Sequence, residues 1–193
     1  MGRIRATVSG LTAAACLLLF SACNDCSTSV SQFENGDSTW TVYAAQDSLQ
    51  MLAENDTVYT FVNVRTSSEP VPGEGFDVTD ACIEQYDTRR VSVMQQADTP
   101  RRFPALTVIA QRRPNDIQVS LAVAGRGTLL IPDVNTPQHA SLPVNGFTYT
   151  NVFDVAAADS TGSDVKRILF NREFGFLQVE FFRGRTLKRV ANP

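Results

Sequence analysis

The sequence predicts a mainly β fold: a single antiparallel curved sheet, a half-barrel or sandwich, of about nine strands with one or two short helices. Three observations predict it. β-Branched and aromatic residues alternate with polar ones at period two in segment after segment. Short Gly-, Pro- and Asn-containing turns separate those segments. No regular exchange of strand and helix patterns, the mark of a parallel sheet, runs along the chain.

The elements follow in order. Residues 39–44 (TWTVYA) open the strands. Residues 45–55 (AQDSLQMLAEN) are the best helix candidate, with Leu49 and Leu52 at i, i+3. In 57–65, Val58, Val62 and Val64 share one face, Tyr59 and Phe61 the other. Residues 66–78 contain two prolines and read as a long loop. Thr79-Asp80 could cap a short turn in 77–87. Strands follow over 86–96 and 105–111. In 116–124, Ile117, Val119, Leu121 and Val123 point inward, and Pro114-Asn115-Asp116 and Gly125-Arg126-Gly127 are the flanking turns. Residues 132–144 read as a second long loop, and 145–153 as a turn feeding a strand.

The C-terminal residues 165–170, 174–182 and 185–190 form a meander, with Arg183-Gly184 as its tight turn. Alternation puts Leu177, Val179 and Phe181 on the core face and Phe176 opposite, with Gln178 and Glu180. Gly175 suggests a bulge or a close packing contact.

The 193 residues suffice for one domain, and a net charge of −3 supplies no bulk basic field for nucleic acid. A single histidine thins the field of acid–base, zinc and triad enzymes.

The N-terminus reads as an address. Arg3 and Arg5 precede an uncharged run over residues 11–20, half the length that spans a bilayer. Small residues Ser21-Ala22 then precede Cys23. Basic start, short apolar centre and small residues describe a secretory signal peptide. Small residues directly before a cysteine resemble the bacterial lipobox, with Phe20 where leucine is usual. That resemblance implies cleavage before Cys23 and acylation of Cys23, which anchors the chain in a membrane. Residues 1–22 are then the signal peptide, 23–38 a polar tether, and 39–193 the β domain.

Without residues 1–22 the chain holds fifteen basic and twenty acidic residues. Residues 23–87 have twelve acids and only Arg65; residues 88–193 have eight acids and fourteen bases. Interleaving of the two halves in one sheet would pair these charges; the other reading is a basic face for an anionic partner. Cys16 lies in the apolar run. Cys26 and Cys82 remain for an oxidising compartment, and a Cys26–Cys82 disulfide is the simplest account. With one histidine and no paired C-x-x-C, no zinc site is expected.

Residues 145–190 also carry a resemblance. Tyr149, Asn151 and Val152, then Phe170, Asn171, Arg172, Glu173, Phe174 and Gly175, match a "Y-x-N-V … F-N-R-E-F-G" pattern. This resembles the closing motif of uncharacterised Bacteroidota lipoproteins. Leu187 stands without the tryptophan usual before it. The resemblance covers about 45 residues and implies architecture and envelope address, with the outer membrane favoured over the inner.

His139 sits in the loop 132–144; a hydrolytic role would recruit Asp133 and Ser141. A solvated loop histidine is the simpler reading, and no G-x-S-x-G elbow is present. Arg101-Arg102 and Arg112-Arg113 flank one strand as a basic rim or as strand-end charges. The expectation is a non-catalytic, membrane-anchored envelope lipoprotein without cofactor or metal, a binding or structural module. It binds no nucleic acid and reaches its membrane through the lipid on Cys23. An envelope protein or an apolar ligand is its candidate partner. A carrier of apolar ligands in the curved sheet and a small envelope hydrolase are the alternatives.

Overall fold

A computed structural model describes residues 26–191. Residues 1–22, expected as a signal peptide and including Cys16, and Cys23 lie outside the described residues. Among the described residues twelve strands form: β1 Ser29–Val30, β2 Ser48–Ala53, β3 Val58–Pro72, β4 Gln85–Gln96, β5 Leu106–Arg112, β6 Ile117–Val123, β7 Gly127–Leu130, β8 His139–Val144, β9 Phe147–Ala156, β10 Val165–Asn171, β11 Gly175–Phe181 and β12 Thr186–Arg189. Eleven run antiparallel in the order β7-β6-β5-β4-β3-β2-β12-β11-β10-β9-β8, and β1 joins β4 in parallel. The sheet curls into a half-barrel. Its edge strand β7 comes against β9 and β10, where Asp164 N donates to Arg126 O at 2.7 Å.

The concave face holds the main core. Leu49, Met51, Phe61, Met94, Leu106, Leu121, Ile168 and Val179 are at most 1% exposed. The segment between β1 and β2 enters this space. Its only regular piece is a 3-10 turn, Asp37–Trp40. Trp40 packs on Phe153 (ring centroids 5.0 Å apart) and Phe170 (6.2 Å), and Tyr43 stacks on Phe176 at 6.3 Å. Asn63 fastens the segment. Its Nδ2 donates to Tyr43 O at 2.9 Å and Ala44 O at 2.8 Å, and its Oδ1 accepts from Arg65 N.

A second, smaller core lies on the convex face. β9 pairs with β10 over Phe153–Ala156 and with β8 over its earlier residues. At Asn151, φ is +53°, and there the β8–β9 arm departs from the sheet. The arm lies over β10 and β11, and Asn145 at its tip donates to Arg189 O in β12 at 3.1 Å. Val144, Tyr149, Val152, Leu169 and Leu177 are sealed between arm and sheet.

Several sequence expectations change. Residues 45–55 are not helical: Ser48–Ala53 is β2, with Leu49, Met51 and Ala53 buried at period two and β3 and β12 on either side. No helix forms in 77–87; Asp77 and Asp80 hold hydrogen-bonded turns. Residues 66–72 are not loop but the second half of β3, paired with β4 as far as Pro72↔Tyr86. β2 pairs with β3 only up to Val62, so Pro70 and Pro72 sit on an open strand edge that needs no donor from them. Likewise His139–Val144 is edge strand β8, with Pro143 in it. The residues from Cys26 to 38, expected as tether, lie against the sheet through β1 and Phe33.

Candidate functional site

The Cys26–Cys82 disulfide is present, with Cα atoms 5.8 Å apart. Cys82 belongs to the connection between β3 and β4, and Ser29 N donates to Glu84 O at 2.9 Å beside it. The chain's descent toward residue 23 is thus fixed to the far end of the long β3–β4 hairpin.

The residues of the Y-x-N-V … F-N-R-E-F-G pattern come together, and most of them have a packing role, although Asn151 and Glu173 are exposed. Phe170 stacks on Trp40 in the main core. Asn171 is 3% exposed; its Oδ1 accepts from Glu173 N (2.6 Å) and Phe174 N (2.9 Å), and its Nδ2 donates to Thr150 O across in β9. It therefore closes the β10–β11 turn and fixes it to the arm. Arg172 lies 4.0 Å over the Trp40 ring and donates to Val134 O at 2.7 Å. Burial lowers the pKa of its guanidinium, and the Asp37 carboxylate opposes that shift. Tyr149 and Phe174 meet edge to face at 5.3 Å in the smaller core, with Arg189 5.6 Å over Phe174. Gly175 has φ +79° against the Tyr43 hydroxyl.

The structure parts His139 from Asp133 and Ser141 as bonding partners. Its Nε2 instead lies 2.9 Å from Asp154 Oδ2, so the histidine is not simply solvated. That carboxylate is already gripped by Arg167, whose Nε donates to Oδ1 at 2.6 Å and whose Nη2 donates to Oδ2. The Arg167 hydrogen bonds hold Asp154 below the usual carboxylate range, and the Asp154 pairing holds Arg167 above its own. Glu180 adds to the row 3.7 Å from Arg167, with Lys166 3.8 Å on its other side. The row crosses β8, β9, β10 and β11 and satisfies itself. A histidine and carboxylate stand in contact here, but no hydroxyl bonds the ring among the described residues. Asp154 is not legible as this partner beforehand, since a contact fifteen residues away needs the strand register.

Three of the four paired arginines bond through their side chains, and Arg102 through its backbone. Arg112 bonds Glu34 and lies 3.7 Å from Asp37; Arg113 donates to Gln118 at 2.9 Å. Arg101 donates to Gln96 O, and Arg102 O accepts from Arg185. The acidic and basic halves interleave: Glu69–Arg89, Glu34–Arg112, Glu74–Arg113 and Glu54–Arg185 each join one half to the other.

The concave face offers a carrier little. Rings and aliphatic chains fill it, and Trp40, Phe61, Phe170 and Phe176 are at most 1% exposed. The hollows lie at the surface. One, of about 350 Å³, is walled by Glu74, Gln85, Asp87, Arg113 and the β5–β6 turn 114–116. Asp87 is 1% exposed; its Oδ2 accepts from Gln111 at 2.8 Å, while its Oδ1 has no partner. Arg113 Nε is likewise buried without a partner.

Comparison with protein-family models, curated proteins and solved structures found no match to the chain.

Proposed function

We propose that the protein is a lipid-anchored module of a bacterial cell envelope that acts by binding or scaffolding. The observation that carries this reading is the Cys26–Cys82 disulfide. Disulfides persist in exported compartments, so the bond favours translocation and hence a signal peptide ahead of it. Cys23 stands three residues before Cys26, directly after Ser21-Ala22. Acyl chains on Cys23 would attach the domain stably, since each buried methylene adds about 0.8 kcal/mol and two chains suffice. The three Cα–Cα steps from Cys23 to Cys26 span at most about 11 Å, so the β3–β4 hairpin end would stand close to the bilayer.

The architectural part of this reading is supported by Tyr149, Phe170, Asn171 and Phe174 of the motif, which are spent on packing and turn closure. The packed concave face lends no support to the apolar carrier. The His139–Asp154 contact keeps the hydrolase as a second reading, answered by assaying ester, amide and glycoside substrates with His139→Ala as control.

The test of the main reading is Cys23→Ala. The unaltered protein should label with a palmitate analogue and partition into the detergent phase. The variant should do neither, or remain unprocessed. A processed, membrane-bound variant would overturn the anchor.

A further inference from the structure

We infer that the hollow between the β3–β4 hairpin end and the β5–β6 turn binds a small zwitterion carrying an ammonium group and an anionic oxygen. The argument starts from Asp87. A carboxylate 1% exposed is costly unless its oxygens are hydrogen-bonded, and Oδ1 has no partner. Arg113 shares the same wall. It donates through Nη2 to Gln118 and lies 3.8 Å from Glu74 through Nη1, yet its buried Nε donates to nothing. The residues that carry this orphan acceptor and this orphan donor thus line a single hollow of about 350 Å³.

The charge of the lining sets the ligand's polarity. Glu74, Asp87 and Asp116 face one arginine, so the hollow is negative overall and favours a cation with N–H donors. Arg113 Nε asks for an acceptor on the same molecule. An ammonium separated by a few bonds from a carboxylate or phosphate meets both. Both orphans are out of contact with solvent, so the ligand reaches them by displacing a lining side chain. Glu74, whose side chain is 89% exposed, is the group able to close over it. Two sources share this chemistry, a free α-amino acid and the phosphoethanolamine headgroup of a lipid.

The experiment is calorimetric titration of the full chain, purified in detergent, with L-alanine and with O-phosphoethanolamine. Methylammonium and acetate serve as single-charge controls. At least one zwitterion should bind with a Kd of about 1 mM or tighter, and each control at least about tenfold more weakly. Alanine binding points to a free amino acid, phosphoethanolamine binding to the headgroup. Asp87→Asn and Arg113→Gln should each weaken binding about tenfold or more, with the Trp40 emission of the folded protein retained. Glu74→Gln, at an exposed position, keeps the test decisive if Asp87→Asn does not fold; it should weaken binding severalfold. Failure of both zwitterions, or folded variants that bind like the parent, would overturn the site and leave water as the partner of both orphans. Anchoring is read separately by Cys23→Ala, so either result can fail without the other.

Discussion

The hydroxyl of Tyr43 occupies the place where a Cβ on Gly175 would stand: an ideal Cβ there would meet Tyr43 Oη at 2.0 Å. The same oxygen accepts the backbone N–H of Phe176 at 2.7 Å. One side chain from the segment before β2 therefore seals the first residues of β11. Burial pushes the phenol pKa above its usual value; the Phe176 hydrogen bond opposes that without reversing it. Gly175 also sits at φ +79°, which costs a side-chain-bearing residue about 1–2 kcal/mol. With overpacking of about 1–3 kcal/mol added, Gly175→Ala should lose about 3–4 kcal/mol in urea unfolding. Tyr43→Phe strands a buried N–H and should cost about 1–3 kcal/mol. The pair should cost less than the sum, because Tyr43→Phe removes part of the clash that Gly175→Ala creates. Strict additivity would show that the contact does not couple them.

β11 carries a correction that sets the next prediction. Simple alternation puts Leu177, Val179 and Phe181 on one face and Phe176 opposite. In the structure, Leu169 pairs with Gln178 and Phe170 with Phe176, so Leu177 is an extra residue in a bulge. Phe176 joins Val179 and Phe181 in the main core, and Leu177 turns to the smaller one. Phe176→Ala and Phe181→Ala should each cost about 3–5 kcal/mol. Leu177→Ala should also cost at least about 2 kcal/mol, because the arm covers it. Glu180→Ala, within a partly exposed ion row, should cost no more than about 1 kcal/mol. Denaturation showing Phe176→Ala as mild as Glu180→Ala would overturn the bulge.

The same bulge shows where the sequence stops being legible. Gly175 announces an irregularity, but not which neighbour becomes the extra residue; that depends on β10 across the ladder. β5 and β6 are readable because both their faces follow strict alternation. β2 misleads because Leu49 and Leu52 fit a helix as well as Leu49, Met51 and Ala53 fit a strand, and only β3 and β12 decide. The prolines in 66–72 and 132–144 suggest loops because the sequence does not reveal which strand has an open edge. Cysteine counting suffices for the disulfide, since two candidates allow one pairing. The hollow at Asp87 is invisible beforehand, as its lining comes from positions 74–116 joined only by register.

The Cys26–Cys82 bond closes a separation of 56 residues. A chain-entropy estimate for such a loop is about 4 kcal/mol, a large fraction of a domain's stability. The Cys26→Ser/Cys82→Ser double variant should therefore unfold at clearly lower urea concentration. Under native, unreduced conditions, neither thiol should alkylate in the parent protein. β1 begins three residues after Cys26 and bonds Glu84 beside Cys82, so hydrogen exchange in the variant should rise first in residues 26–38. Unchanged exchange there would show that β1 holds the segment without the disulfide.

Strong acid should weaken the row across β8 to β11. Asp154 is the group to follow: Arg167 hydrogen bonds lower its pKa, with His139 adding to the effect against the opposing cost of burial. A carboxyl whose folded pKa lies below its unfolded one contributes stability that is fully present above the unfolded value. That contribution is lost as pH falls through the folded value. The unfolded reference is 3.8, so the window opens near that pH and extends below it. Asp154→Asn keeps the shape but not the charge, and leaves Arg167 facing Glu180 alone. At pH 7 it should lower stability by about 1 kcal/mol, the scale of a partly exposed pair. Urea midpoints measured from pH 7 down to pH 2 should show the gap between parent and variant closing only below the unfolded value. A gap constant across that range would mean that Asp154 holds its partners by shape and not by charge. A gap closing well above pH 4 would place the titrating group elsewhere in the row.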